Sequence, residues 1–251
     1  MTEPNTQIET LATDAIELLQ RLIATPSFSR EEDGTAALIK AFLEQKNASP
    51  RRLKNNVWAF NWHFDKSKPT ILLNSHHDTV RPNHGYTRDP FSADVSEGKM
   101  FGLGSNDAGG ALVSLLATFL FFHEKNDLPF NLIYAATAEE EISGKDGIEL
   151  ILNELGKIDF AIVGEPTQMN LAIAEKGLLV LDCVSHGKSG HAAREEGENA
   201  LYKAIDDIGW FRNYRFSKAS EFLGPMKMSV TIIQAGSQHN VVPDECRFTV
   251  D

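Results

Sequence analysis

Cysteine is nearly absent. Cys183 and Cys246 are the only two in 251 residues. They are too few and too isolated for a disulfide framework or a thiolate-ligated zinc site, so both are expected to be reduced core thiols. Basic charge is also in deficit: 24 Lys and Arg stand against 35 Asp and Glu, a net charge of −11. That balance argues against nucleic acid and anionic membrane as partners and makes a cation the more natural one. No apolar run approaches the ~18 residues that cross a bilayer. The opening segment MTEPNTQIET has neither the basic nor the apolar region of a secretory signal, so the expected location is the cytoplasm. No internal repeat or low-complexity tract stands out. Apolar and charged contents are those of an ordinary globular protein, which excludes general disorder.

What is present alternates. Leu11, Ala15, Leu18 and Leu22 recur at helical spacing, and Pro26 ends that helix. SREE, residues 29–32, fits a capping box opening a second helix through Leu43. VWAFNWHF and TILLNSHH read as strands joined by the polar turn DKSKP, and NDAGGALVSLLATFLFFHE as an apolar helix starting near Asp107. FNLIYAATA and FAIVGEPT read as buried strands, with KDGIELILNELGK as the helix between them. This order predicts an α/β fold with a mostly parallel sheet flanked by helices. Near Asn170 the character changes. LAIAEKGLLVLDCVSHG reads as paired strands, ENALYKAIDDIGWF as a helix, and MKMSVTIIQAGS and CRFTVD as strands, with GSQHN as a hairpin connection. The expected organisation is a catalytic domain over 1–172 and a smaller α+β lid or dimerisation domain over 173–251.

The chemistry gathers where the predicted strands end. ILLNSHHDTV, residues 71–80, is an apolar run that finishes in His76, His77 and Asp78. Residues two apart on a strand share a face, so His76 and Asp78 point together and His77 away. His-x-Asp suits a metal ligand whose second N–H is held by a carboxylate. Other strands end in Glu139, Glu140 and Glu141 and in Glu165, and Asp107 heads the apolar helix. Ligands of parallel α/β sheets bind outside the carboxyl ends of the strands, where these groups fall. Converging carboxylates repel one another and need cations in compensation. Taken singly, Asp107 reads equally as a helix N-terminal acid and the Glu run as a solvated loop.

The ordered set SHHDTV, GLGSNDAGG, TAEEEISG, VGEPT and SGHAAR resembles the zinc-dependent amidohydrolases that include acetylornithine deacetylase, succinyl-diaminopimelate desuccinylase, aminoacylase and glutamate carboxypeptidase. The resemblance implies two divalent ions, zinc with cobalt or manganese as alternatives. His76 and Glu165 would bind the first, Glu141 the second, and Asp107 both, with Asp78 orienting His76. Glu140 would be the general base, preceded by the acidic Glu139, although a register shifted by one stays open. His191 in SGHAAR would stabilise the oxyanion from the small domain of a homodimer partner, with Asn240 as a second contact. Lys176 and Arg194 are candidates for a substrate carboxylate, though exposed basic residues are common without one. The run AEKGLLVLDCVSHGKSGHAAREEGENALYKAI looks most like acetylornithine deacetylase and its succinylornithine-cleaving relatives. The implied activity is hydrolysis of an N-acyl amino acid, an N-acyl ornithine in arginine biosynthesis. A dipeptidase or carboxypeptidase of the same family is the alternative.

The family pattern also has parts this sequence lacks. Members carry a final His ligand to the second metal and an Arg that grips the substrate carboxylate. After His191 only His239 remains, in the hairpin beside Asn240. The sequence stops inside the alternating segment ECRFTVD, so a truncated chain is expected. Without the family's last catalytic-domain segment, a weak second metal site and an open sheet edge where its strands would pair are expected. A non-catalytic metal-binding or dimerisation protein is the reading this departure favours.

Overall fold

The protein is described by a computed structural model covering residues 4–251. The chain forms two compact units that divide between Met169 and Asn170. In the first, the order is α1 (Pro4–Ile23), α2 (Asp33–Gln45), β1 (Arg51–Leu53), β2 (Asn56–Phe60), β3 (Thr70–His76), β4 (Asp94–Ser96), β5 (Lys99–Phe101), α3 (Gly110–His123), β6 (Asn131–Thr137), α4 (Ile148–Leu155) and β7 (Phe160–Val163). Five strands make one sheet in the order β1-β2-β6-β3-β7, while β4 and β5 form a separate ribbon.

Both faces of the central strands are covered, and alternate residues of one strand serve opposite cores. Leu73 of β3 and Leu132, Tyr134 and Ala136 of β6 pack with α1, α2 and α3 through residues such as Leu18, Ile39, Leu112 and Phe119. Leu72, Ile133 and Ala135 face the other way, onto Ile151 and Leu155 of α4. This two-sided burial explains why β3 and β6 read as continuous apolar runs. β3 is parallel to both β6 and β7. The other two pairings, β1 with β2 and β2 with β6, are antiparallel. The sheet is therefore mixed, a parallel block extended by a hairpin, rather than mostly parallel. The parallel block sets the site, because its strands all end on the same side.

The second unit comprises β8 (Leu181–His186), β9 (Gly190–His191), α5 (Ala200–Asn213), β10 (Ala219–Ser220), β11 (Gly224–Pro225), β12 (Val230–Ala235), β13 (Val241–Val242) and β14 (Glu245–Val250). An antiparallel sheet, β12-β14-β8, carries α5 on one face, where Ala200 and Ala204 meet Cys246, Phe248 and Val250. Asn199 caps α5 by accepting the Leu201 N–H at 2.9 Å. Cys183 and Cys246 are free thiols, and burial pushes the Cys246 thiol up.

Several expectations are corrected. The capping box does not form: α2 starts at Asp33 with no side-chain cap, because Ser29 and Glu32 have other partners. Residues 171–180 are irregular instead of strand, with Leu171, Leu178 and Leu179 exposed. Their apolar pattern lacks the neighbouring strand that would satisfy its backbone. The last strand, β14, lies in the middle of its sheet with partners on both sides. β7, expected to be buried, is an exposed apolar edge strand through Phe160, Ile162 and Val163. Among the described residues, Ser105–His123 is after all long and apolar enough by composition to cross a bilayer. Its first five residues lie outside α3, and Leu112, Leu116 and Phe119 are spent on the core.

Candidate metal centre

His76 is the last residue of β3 and is 1% exposed. Its Nδ1 lies 3.0 Å from the Asp78 backbone carbonyl and 3.4 Å from Asp78 Oδ1. Both are acceptors, so Nδ1 carries the proton. The other nitrogen, Nε2, faces three carboxylates: Asp107 Oδ1 at 3.1 Å, Glu165 Oε2 at 3.7 Å and Glu140 Oε2 at 3.8 Å. Ligand atoms of His76, Asp107 and Glu165 all lie within 4.8 Å of one another. One imidazole cannot neutralise three carboxylates, so the donor set suits a cation. Burial alone would lower the His76 pKa, but hydrogen bonding and charge from Asp78 and Glu165 outweigh it and raise it to about 11.

Asp78 is fully buried and holds two segments at once. Its carboxylate accepts from Ser29 Oγ at 2.7 Å, from the Glu140 N–H at 3.0 Å and from the Glu141 N–H at 3.2 Å. Burial pushes its pKa up, but the bonds from His76, Ser29 and Glu140 win and keep it below the usual carboxylate range. Glu140 and Glu141 lie in a short 3-10 turn beyond β6. Burial raises both carboxyls. His76 opposes the shift on Glu140, whose acidic neighbours add to it; Asp107 adds to that on Glu141.

Glu139 is turned elsewhere. It takes a left-handed conformation, φ 54°, and its carboxylate lies against Gly144, where a Cβ would fall 2.0 Å from Oε2. His77 also points away, as strand alternation requires. Its Nε2 donates to the Asn55 carbonyl at 2.9 Å, and Nδ1 meets Thr35 Oγ1 at 2.9 Å. Burial lowers its pKa, so it is a neutral core imidazole.

Asp107 is not a helix N-terminal acid. Its φ of −114° and ψ of 98° are extended, and α3 begins three residues later. The turn before it depends on Gly104, at φ +73°, where a Cβ would sit 2.6 Å from Thr79 Cγ2.

Sequence reasoning missed Glu32. It is fully buried, and its carboxylate accepts from the Arg30 N–H at 2.7 Å, Asn55 Nδ2 at 2.8 Å and the Glu139 N–H at 3.2 Å. This ties the segment before α2, the β1–β2 turn and the Glu139 loop together. A Glu in a recognisable capping pattern offered no signal of that role.

The remaining candidates lie in the second unit. His191 is exposed on β9, and its Nδ1 accepts the Ala193 N–H at 3.1 Å. β13 pairs with β9, and the Ala192 N–H donates to the Asn240 carbonyl at 3.0 Å, so Asn240 is next to His191. Lys176 gives its amine to the Pro225 carbonyl at 2.7 Å. Arg194 is 3.9 Å from Glu196, a loose exposed pair.

Known proteins resemble this chain in sequence and fold. The model of Peptidase family M20/M25/M40 matches residues 72–244. A succinyl-diaminopimelate desuccinylase 2 from Ruegeria sp. (strain TM1040) is 27% identical over 95% of the chain and 65% of its own length. A succinyl-diaminopimelate desuccinylase from Wolbachia pipientis wMel is 26% identical over 94% of the chain and 64% of its own length. The chain thus spans a little under two thirds of these curated relatives. Among solved structures, the Saccharomyces cerevisiae di-peptidase Dug1p superposes with a TM-score of 0.64 at 16% identity, over 99% of this chain and 71% of its own. The Bacillus subtilis YXEP protein, described as a dinuclear metal-binding peptidase, gives 0.60 at 20% identity, over 96% and 64%. These likenesses establish the fold, and the family match, which takes in His76, Asp78, Asp107, Glu140, Glu141 and Glu165, places the chain in Peptidase family M20/M25/M40.

Proposed function

We propose that the protein is a metal-dependent amidohydrolase that cleaves the amide bond of an N-acyl amino acid. The observation that carries this reading is the buried His76, with Nδ1 held by Asp78 and Nε2 turned to Asp107, Glu165 and Glu140. His76, Asp107 and Glu165 would hold one ion, and Asp107 with Glu141 a second. Zinc suits this imidazole and carboxylate set, with cobalt or manganese as alternatives. When bound, such ions polarise an amide carbonyl and acidify water. Glu140, with its carboxyl raised by burial and acidic neighbours, takes the proton of the attacking water and returns it to the leaving amine. Asp78 keeps the imidazole tautomer and, through the Glu140 and Glu141 N–H groups, the position of the turn. The departure of Glu139 toward Gly144 supports Glu140 rather than its neighbour as the base.

The desuccinylase relatives favour an N-succinyl diamino acid as substrate. The ornithine-deacylase resemblance of residues 174–205 favours an N-acetyl or N-succinyl ornithine as the second reading. His191 and Asn240 would meet the oxyanion from a second copy joined through the smaller unit, whose exposed Tyr202, Ile205, Ile232 and Ile233 suit a homodimer. Lys176 and Arg194 would face the substrate carboxylate.

The test is amine release from N-succinyl-diaminopimelate, N-acetylornithine, N-succinylornithine and a dipeptide panel, with the Glu140→Gln variant beside the wild type. The expected result is turnover of an N-acyl substrate that Glu140→Gln loses by about 100-fold or more while binding metal as before. Unchanged turnover in that variant refutes the general-base role, and turnover of dipeptides alone refutes the substrate class.

A further inference from the structure

At the other end of the central sheet, a groove of about 1060 Å³ opens between the start of β3 and the segment before β7. β3 runs seven residues from Thr70 to His76, so about 20 Å of strand separates the groove from the metal centre. Its walls include Arg51, Phe60, Trp62, Phe64, Lys66 and His123. Three of these are aromatic. Phe60 and Phe64 meet edge to face at 5.0 Å, and the Arg51 guanidinium lies 5.0 Å from the Phe60 ring. Trp62 is 63% exposed, with its ring 6.1 Å from that of His123.

His123 is the second, independent observation. It is 3% exposed and lines the groove, with its ring packed edge to face against Phe119 at 5.2 Å. Burial keeps it neutral, so it offers one donor and one acceptor. Of the cations here, Lys157 is paired with Asp159 and Lys68 gives its amine to the Leu128 carbonyl. Arg51 and Lys66 have no carboxylate partner among the described residues, against one uncompensated acid, Glu154. A net positive groove on a chain of charge −11 is a local reversal of sign.

We propose that this groove binds a nucleoside monophosphate, at a site separate from the metal centre. The base stacks on Trp62 and the neighbouring phenyl rings, its polar edge takes up the hydrogen bonds His123 offers, and the phosphate lies between Arg51 and Lys66.

The test is calorimetric titration of the metal-loaded protein with AMP, adenosine and inorganic phosphate, repeated on Arg51→Ala and Trp62→Ala. Both side chains are exposed, so neither substitution threatens the fold. AMP is expected to bind saturably and more tightly than adenosine or phosphate alone, with each substitution weakening it roughly tenfold. Binding is expected to persist after the metal is stripped. Absence of saturable AMP binding, binding indifferent to both substitutions, or loss on metal removal overturns the proposal. Tighter binding of a single-stranded oligonucleotide than of AMP also overturns it.

Discussion

Replacing Glu32 tests whether one buried carboxylate holds three loops together beside the candidate metal centre. Hydrogen bonds to a charged group contribute about 1.5–3 kcal/mol each, and Glu32 accepts three while fully buried. Glu32→Gln can keep Oε1 toward the Arg30 and Glu139 N–H groups but turns an NH₂ toward Asn55 Nδ2. Asn55 cannot simply flip, because its Oδ1 already accepts from Arg52 at 3.0 Å. The expected cost of Gln is therefore about one such bond, roughly 2 kcal/mol, and that of Glu32→Ala is about 4 kcal/mol or more. Equilibrium urea unfolding followed by tryptophan fluorescence measures both. Trp210→Phe as background confines the signal to Trp58 and Trp62 of the first unit. A loss below about 1 kcal/mol in Glu32→Ala would refute the reasoning, since three buried donors would then have found water without penalty.

Metal removal should lower the thermal midpoint of the first unit, and zinc at about 100 times its dissociation constant should restore about 2.7 kcal/mol. Differential scanning calorimetry of wild type and Asp107→Ala checks this: a zinc response surviving in the variant would remove Asp107 from the ligand set. Burial depresses the pKa of His123, so below its ordinary value of 6.5 the unfolded chain binds a proton that the folded chain does not. Stability contributed by this group is thus intact above pH 6.5 and falls as pH drops below it. His123→Phe should flatten that part of the stability profile, measured by urea midpoints between pH 7 and about pH 5; an unchanged slope would show that His123 is charged in the fold.

Much of the site was legible because its signals are local. An apolar strand ending in His-x-Asp states both the sheet position and the alternation that separates His77 from its neighbours. Glu140 and Glu165 stand out in the sequence for the same reason, as acids just past apolar strand-like runs. Glu32 and Ser29 were not, because the partners that define them lie 23 to 107 residues away, and locally both satisfy a helix-capping pattern. Asp107 reads as the head of a helix because apolar residues follow it, while its extended backbone follows a turn that depends on Gly104 at φ +73° beside Thr79. Residues 171–180 show the converse error: strand-like composition makes a strand only where another backbone is alongside to pair with it.

The convergence on Asp78 bears on any attempt to redesign this centre. Its carboxylate serves the imidazole on one side and the Glu140 and Glu141 amides on the other, with Ser29 as the fourth point. On the proposed function, ion affinity and placement of the proton acceptor are consequently not separate dials. A library that varies position 78 or 29 to change metal preference would shift the turn bearing Glu140 in the same stroke. Selection for tighter ion binding alone would then tend to recover proteins that hold the ion well and turn over poorly.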